Sequence, residues 1–180
     1  LTPTLINDAE LKLISQLTTP NQVLAILAMQ EAVATADWTQ DWSLYLDGLQ
    51  DPGNVGTILR IADWFAIPTV LLGPGTVDIY NSKTIQASMG AFLRVNCRSG
   101  TLSELKEQHA SLLVWGATMG GTNVFQLDVP TAGILVIGNE GQGIQDSNLA
   151  ILDQQVTIAS PQGGGAESLN AGVATGILCA

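Results

Sequence analysis

The chain has 180 residues, 46% of them hydrophobic and only 12% charged, with 6 basic residues against 16 acidic ones and a formal net charge of −10. Mean hydropathy is +0.29, so there is enough apolar side chain for a core and wholesale disorder is excluded. The charged fraction is about half the ~25% usual for soluble domains, so we expect a partner to cover part of the surface and the protein to be an oligomer. The acidic balance argues against non-specific attraction to nucleic acid or anionic membrane. The longest apolar run, Val23–Met29, is far short of the ~20 residues that cross a bilayer. No basic region followed by an apolar stretch opens the chain, so secretion is not expected. With Leu1 in first place, the start is expected to be trimmed or incompletely ordered. Cys97 and Cys179 lie far apart in apolar settings and read as reduced, buried thiols of a cytoplasmic protein. The single histidine, His109, reads as a surface turn residue, so no His/Cys metal pattern exists and no metal is expected.

In chain order, Asp8–Leu17 reads as a short helix, Thr18–Asn21 as a turn and Val23–Met29 as a buried strand. Glu31–Asp41 reads as a linker, because Thr35, Asp37, Thr39 and Asp41 break any apolar period. From Trp42 the pattern is regular. Strands are predicted at Ser43–Leu49, Thr69–Leu72, Leu93–Cys97, Leu112–Gly116, Ile134–Ile137 and Gln155–Ala159. Helices are predicted at Asn54–Ala66, Ser82–Ala91, Leu102–Gln108, Asp146–Leu152 and Glu167–Leu178. Strand–helix alternation implies βαβ units, a mostly parallel sheet flanked by helices, and ligand binding outside the carboxyl ends of the strands. Trp38, Trp42, Trp64 and Trp115 read as packing or interface residues.

Three loops carry the candidate chemistry. After the first regular strand comes Asp51-Pro52-Gly53-Asn54 and a helix. Its apolar arc holds Val55, Ile58, Leu59, Ile61, Ala62, Phe65 and Ala66; its polar arc holds Gly56, Thr57, Arg60, Asp63 and Trp64. Asn54 is either a simple helix cap with Arg60 solvated, or part of an anion site, since free helix N–H groups and an arginine favour phosphate. The second loop, Gly138-Asn139-Glu140-Gly141-Gln142-Gly143, follows a buried strand. It matches neither G-x-G-x-x-G nor a Gly-Lys-Ser/Thr phosphate loop, which leaves a nicotinamide or nucleoside triphosphate site poorly supported. Glu140 alone could be a surface carboxylate. The third loop, Ser160-Pro161-Gln162-Gly163-Gly164-Gly165-Ala166, leads into Glu167-Ser168-Leu169-Asn170. Capping explains Glu167 and Ser168, whereas Asn170, placed within the first helical turn, has no capping role in this reading. Ala171, Gly172, Ala174 and Gly176 then form a small-residue helix surface that another backbone can approach.

Asn54-Val-Gly-Thr-Ile-Leu-Arg60, Ser88-Met-Gly90-Ala91, Ile137-Gly138-Asn139-Glu140-Gly141-Gln-Gly143 and Glu167-Ser168-Leu169-Asn170, in that order, resemble the motifs of the SpoU/TrmH family of RNA 2′-O-methyltransferases. The resemblance runs from about Trp42 to Ala180. It implies an α/β domain over residues 37–180 with a deep C-terminal trefoil knot, a rare exception to unknotted topology. It also implies a homodimer that binds S-adenosylmethionine in the knot. The stretch from Lys12 to Ala25 is similar to the junction behind a small RNA-binding domain in many members, so residues 1–36 are expected to be the remnant of such a domain plus a linker.

By motif position, the family resemblance implies that Gly138, Ile158 and Leu169, with Asn139 and Gly143, contact the methyl donor. Asn54, Arg60, Glu140, Ser168 and Asn170 become the catalytic, substrate-facing set. The implied reaction is methyl transfer to a ribose 2′-hydroxyl of rRNA or tRNA, with no metal, no DNA and no membrane. A guanidinium is hard to deprotonate, so Arg60 is expected to clamp the neighbouring RNA phosphate. Where the family reads Ile-Pro-x-x-Gly, this chain has Ile158-Ala159-Ser160-Pro161 and a longer glycine-rich loop. That departure and the acidic charge motivate an alternative, a non-catalytic RNA-binding or scaffold protein on the same fold. Five of the six basic residues, Arg60, Lys83, Arg94, Arg98 and Lys106, fall in one segment, which could preserve a local basic face.

Overall fold

A computed structural model describes residues 2–15, 17–26, 28–29, 38, 40–160 and 167–180. The chain forms two compact units, Leu1–Glu31 and Ala32–Ala180. In the first, Asn7 accepts from the backbone N–H groups of Ala9 and Glu10, and Glu10 accepts from the Asn7 N–H. This capping box starts helix α1 (Asp8–Ile14), which buries no residue. The strand expected at Val23–Met29 is not found: residues 23–26 and 28–29 have no regular structure, and Val23, Ile26 and Met29 are exposed. Apolarity alone does not make a strand. Of the expected linker, Thr35, Asp37 and Thr39 lie outside the described residues.

The second unit runs β1 (Trp42–Asp47), α2 (Pro52–Trp64), β2 (Thr69–Leu72), α3 (Ser82–Ser88), β3 (Asn96–Ser99), α4 (Leu102–Gln108), β4 (Val114–Asn123), β5 (Gly133–Gly138), α5 (Asp146–Leu149), β6 (Gln154–Thr157) and α6 (Ala171–Leu178), with short 3-10 turns at Ala91–Leu93 and Val124–Gln126. The six strands form one sheet in the order β3-β2-β1-β5-β4-β6, and every pairing is parallel. The expected α/β class is therefore the observed one. Both sheet faces are covered, so the central strands are nearly continuous apolar runs rather than alternating ones. Leu44 and Leu46 point into one core with Val55, Ile58, Leu59 and Ala62 of α2. Tyr45 points into the other with Leu102, Leu105, Val114, Ile134 and Val136. Each such buried Leu, Ile or Val side chain contributes about 1.5–3 kcal/mol.

Several boundaries moved for local reasons. Met89 and Gly90 both take left-handed backbone conformations (φ 50° and 85°), so α3 stops at Ser88 and the segment predicted as strand from Leu93 instead turns before β3 begins at Asn96. The predicted helix from Glu167 starts only at Ala171. The polar arc assigned to α2 also fails at Gly56, which is buried. A Cβ there would lie 2.5 Å from Ala87 Cβ and 2.7 Å from the Thr84 carbonyl oxygen, so α3 packs directly on the α2 backbone. Phe65 and Ala66, placed on the apolar arc, are exposed beyond the end of the helix. The tryptophans divide: Trp42 and Trp115 stack edge to face at 5.4 Å and Trp38 is buried, but Trp64 is 83% exposed. His109 is half-buried and closes α4 through its N–H to the Leu105 carbonyl.

Candidate active site

Strand order reverses between β1 and β5: the chain runs outward from β1 through β2 to β3, then returns to place β5 on the other side of β1. A crevice at the carboxyl ends of two such strands is where an open parallel sheet binds ligands. The register sets Asp47, the last residue of β1, beside Gly138, the last residue of β5. Both loops that leave this point carry predicted site residues.

The loop after β1 enters α2 through Asp51, whose Oδ1 accepts from the Asn54 N–H at 2.7 Å, with Pro52 supplying a preset first helical turn. The N-cap is thus Asp51 and not Asn54. Freed from capping, the Asn54 side chain lies across the crevice. Its Nδ2 donates to Glu140 Oε1 at 2.7 Å. Its Oδ1 accepts from Asn170 Nδ2 at 2.8 Å. Asn170 in turn caps α6, its Oδ1 accepting from the N–H groups of Gly172 and Val173. The expectation that Asn170 has no capping role is corrected here, because the helix begins one residue after it. Every amide in this relay has a defined orientation: the Glu140 carboxylate can only accept, so Asn54 turns its nitrogen that way and its oxygen toward Asn170.

The second loop is held by its own backbone. Asn139 and Gly143 exchange N–H···O bonds of 2.9 and 2.8 Å, and Asn139 Oδ1 accepts from the N–H groups of Gly141 and Gln142. Gly143 has φ +74°, a conformation that glycine adopts without a Cβ clash. At Gly138 a Cβ would lie 2.4 Å from both the Gly143 carbonyl carbon and the Ile144 nitrogen. Only glycine lets the loop fold back over the strand end. Both ends of the Asn139 side chain are therefore engaged, the oxygen within its own loop and the nitrogen on the Gly48 carbonyl, and what this loop offers a ligand is largely backbone.

The remaining predicted residues stand apart from the relay. Arg60 is exposed on α2, one turn beyond Thr57, and forms no hydrogen bond or ion pair among the described residues. Ser168 and Leu169 are exposed just ahead of α6, and Ile158 is half-buried directly after β6. Gly172 and Gly176 of α6 face Thr57 and Ile61 of α2, so the small-residue surface of the last helix packs beside the stretch of α2 that carries Arg60. The loop between Ile158 and Glu167 lies largely outside the described residues.

Two features escaped the sequence reading. Between β5 and β6 lies the end of β4, which continues to Asn123 with a bulge between Ala117 and Thr122. Gly121 in this bulge sits so close to Gln155 and Val156 that a Cβ would meet their backbone at 2.6 Å. The pair Gly120-Gly121 was the available signal. The second is Asp47, which is fully buried beneath the crevice. On the same sheet face as Asp47, two residues earlier in β1, the Tyr45 hydroxyl is raised above its ordinary pKa, first by burial and then by the Asp47 charge. It bonds Asn148 of α5 and the Leu102 backbone.

Charge on this unit is unevenly committed. Arg94 forms a two-nitrogen pair with Asp63, with contacts of 2.7–3.1 Å, and its hydrogen bonds hold the Asp63 carboxyl below the usual range. Lys106 is bound to Asp153 and the Leu112 carbonyl. Of the five clustered basic residues, Arg60, Lys83 and Arg98 are in no ion pair among the described residues.

Residues 41–180 match the SpoU rRNA Methylase family. The chain is 34% identical over 171 residues to the 23S rRNA (guanosine(2553)-2′-O)-methyltransferase RlmP of Bacillus subtilis, covering 92% of this chain and 66% of that protein. It is 32% identical over 139 residues to the 23S rRNA (guanosine-2′-O-)-methyltransferase RlmB of Haemophilus ducreyi, covering 74% and 56%. The chain thus spans two thirds or less of the length of these relatives. Among solved structures, a TrmH-family protein from Porphyromonas gingivalis superposes with a TM-score of 0.79 at 40% identity, over 93% of this chain and 68% of that one. The SpoU methyltransferase AviRb from Streptomyces viridochromogenes, in complex with AdoMet, superposes with a TM-score of 0.70 at 25% identity, over 78% and 58%. With the family match spanning residues 41–180, and with three of the four matching motifs carrying the residues of the Glu140–Asn54–Asn170 relay, this chain belongs to the SpoU rRNA methylase family.

Proposed function

We propose that the protein methylates a ribose 2′-hydroxyl in RNA, with S-adenosylmethionine as donor and 23S rRNA as the favoured substrate class. The observation that carries this reading is the relay of Glu140, Asn54 and Asn170, three residues separated by up to 116 positions and joined by bonds of 2.7 and 2.8 Å. Family membership and the similarity to named 23S rRNA methyltransferases support it. The residues present also suit a cationic sulfonium donor. Segments 139–145, 158–160 and 167–170 contain no lysine or arginine and carry two carboxylates, Glu140 and Glu167.

When bound, S-adenosylmethionine supplies the electrophilic methyl group for an in-line displacement by the ribose oxygen. Gly138, Asn139, Gly143, Ile158 and Leu169 bind the donor, largely through backbone groups. Asn54 and Asn170 orient the ribose, and Glu140 fixes Asn54 by a charge-assisted bond. Alignment of this kind supplies much of the rate in a two-reactant step. Arg60, exposed on α2 and in no ion pair among the described residues, clamps the RNA phosphate next to the target ribose. The hydroxyl proton passes to that phosphate or to a neighbouring group, and Ser168 faces the substrate. The reading includes a homodimer, a C-terminal segment threaded as a deep trefoil knot ahead of α6, residues 1–36 as the remnant of an RNA-binding domain, and action in the cytoplasm. The bond from Asn170 back to Asn54 and the seating of Gly172 on Thr57 support the return of the last helix onto the site.

The test is transfer of labelled methyl from S-adenosylmethionine to rRNA, with 2′-O-methylated positions mapped with and without the protein. We expect Arg60→Ala to lower kcat/KM about a hundredfold while donor affinity changes by no more than about twofold, as for a lost positioning contact. Near-normal methylation by that variant would remove the clamp role. A non-catalytic RNA-binding protein would bind RNA but give no calorimetric signal with the donor.

A further inference from the structure

The end of β1 carries a buried carboxyl that the proposed reaction does not use. Asp47 is fully buried. Its Oδ2 accepts from the Gln145 backbone N–H at 2.8 Å, and its Oδ1 accepts from Gln145 Nε2 at 2.6 Å. The next residue, Gly48, accepts through its carbonyl from Asn139 Nδ2 at 2.8 Å. Gly48 is itself tied down, donating its N–H to Thr76 Oγ1, while the Thr76 hydroxyl donates to the Leu46 carbonyl. Two consecutive residues at the end of β1, Asp47 and Gly48, therefore grip both ends of the segment 139–145. That segment needs the grip, because it contains two glycines, Gly141 and Gly143, and residues 140–143 are exposed; a chain of this kind left to itself samples many conformations. Glu140, the residue that reaches Asn54, sits at its tip. The segment cannot swing away without leaving both buried oxygens of Asp47 without donors, which strongly disfavours the open form.

We propose that Asp47 is a positioning residue: through Gln145 it holds the 139–143 loop closed and Glu140 within reach of Asn54. Resting on the methyl-transfer reading, this means that the donor site is shaped before the donor arrives.

The test uses the full chain and two readouts, of which one needs no ligand. The Asp47→Asn substitution sets an amide nitrogen against one of two donors, so one of the two bonds to residue 145 breaks. Adding Gln145→Glu restores complementarity: the new amide donates to the new carboxylate, and its oxygen still accepts the backbone N–H of residue 145. We expect Asp47→Asn to raise amide hydrogen exchange about tenfold at Gly141, Gln142 and Gly143, and to weaken S-adenosylmethionine binding about tenfold (about 1.4 kcal/mol). The double variant should bring both back to within about threefold of wild type, which a merely structural lesion would not do. Unchanged exchange in Asp47→Asn, or no recovery in the double variant, overturns the proposal. Should Asp47→Asn fail to fold, Gln145→Ala at an exposed position removes only the side-chain bond, and it must raise the same exchange rates for the proposal to stand. A wild-type chain that binds no donor sinks the methyl-transfer reading, whereas the exchange readout still decides the clamp.

Discussion

Asn170 uses both ends of its side chain, the oxygen to cap α6 and the nitrogen to hold Asn54. Asn170→Asp separates these jobs, since aspartate caps as well as asparagine but presents a carboxylate to the Asn54 oxygen. We expect the melting temperature to move by no more than about 2 °C and methylation to fall about tenfold or more, because a positioning bond becomes a repulsion. Thermal melts beside single-turnover kinetics check this. The cysteines make the opposite kind of claim. Burial pushes the Cys97 thiol up to about 12 and the Cys179 thiol up to about 11. The folded state thus favours the protonated thiol, and stability is lost as pH rises from the unfolded value, about 9, toward those values. At pH 8 both thiols stay protonated, so we expect a disulfide-exchange reagent to label neither cysteine until denaturant is added. Rapid labelling of the native chain would contradict this.

At the scale of the element, the decisive feature is the return of the 139–143 loop over the end of β5. Its closure depends on the missing side chain at Gly138, where the nearest backbone atoms would stand 2.4 Å from a Cβ. Backbone cannot give as a flexible side chain can, so Gly138→Ala should cost about 1–3 kcal/mol of stability, as overpacking does. The same substitution should abolish donor binding, measured by calorimetry on the folded fraction. Equal stability and unchanged affinity would mean that the loop does not need this close approach. The capping of α2 by Asp51 belongs to the same scale. A helix that already has its cap leaves Asn54 available for another purpose, and that purpose is visible only when the neighbouring strand's loop is in place.

For the whole molecule, net charge and local charge pull in different directions. The chain is at −10, yet Arg60, Lys83 and Arg98 are uncommitted among the described residues. RNA affinity carried by so few cations should be weak. It should fall about tenfold or more between roughly 50 and 200 mM salt, as counterion release requires; filter binding across that range measures it. Tight, salt-insensitive binding would contradict the basic-face argument. Trp64 is 83% exposed and Val173 of α6 is 52% exposed, in keeping with the homodimer in the proposed reading. Light scattering should then give a mass of about twice 18.8 kDa.

Much of the fold could be read directly because it rests on local patterns. The apolar runs at Leu44–Leu46, Val70–Leu72 and Ile134–Ile137 can be satisfied only when covered on both faces, which is the condition of strands in a parallel sheet. Thr69–Leu72 and Leu102–Gln108 begin and end where predicted. For α4 the reason is also local, since Thr101 and Glu104 form a capping box. The candidate residues Asn54, Glu140 and Asn170 were likewise legible as motifs. Which of them touch, however, was not, because hydrogen bonds across 86 and 116 positions depend on strand order. The same holds for Asp47, an ordinary strand-end acid in the sequence that becomes a buried clamp only once β5 lies beside β1. The apolar run at Val23–Met29 shows the converse, a strand-like sequence that forms no strand among its described residues. The sequence by itself determined the αβ alternation, the apolar strands and the chemistry available at each loop, because these follow from periodicity and residue type. Only the tertiary structure decided which loops meet, because that depends on the order in which parallel strands are laid down and on which glycines let backbones close to within a few ångströms.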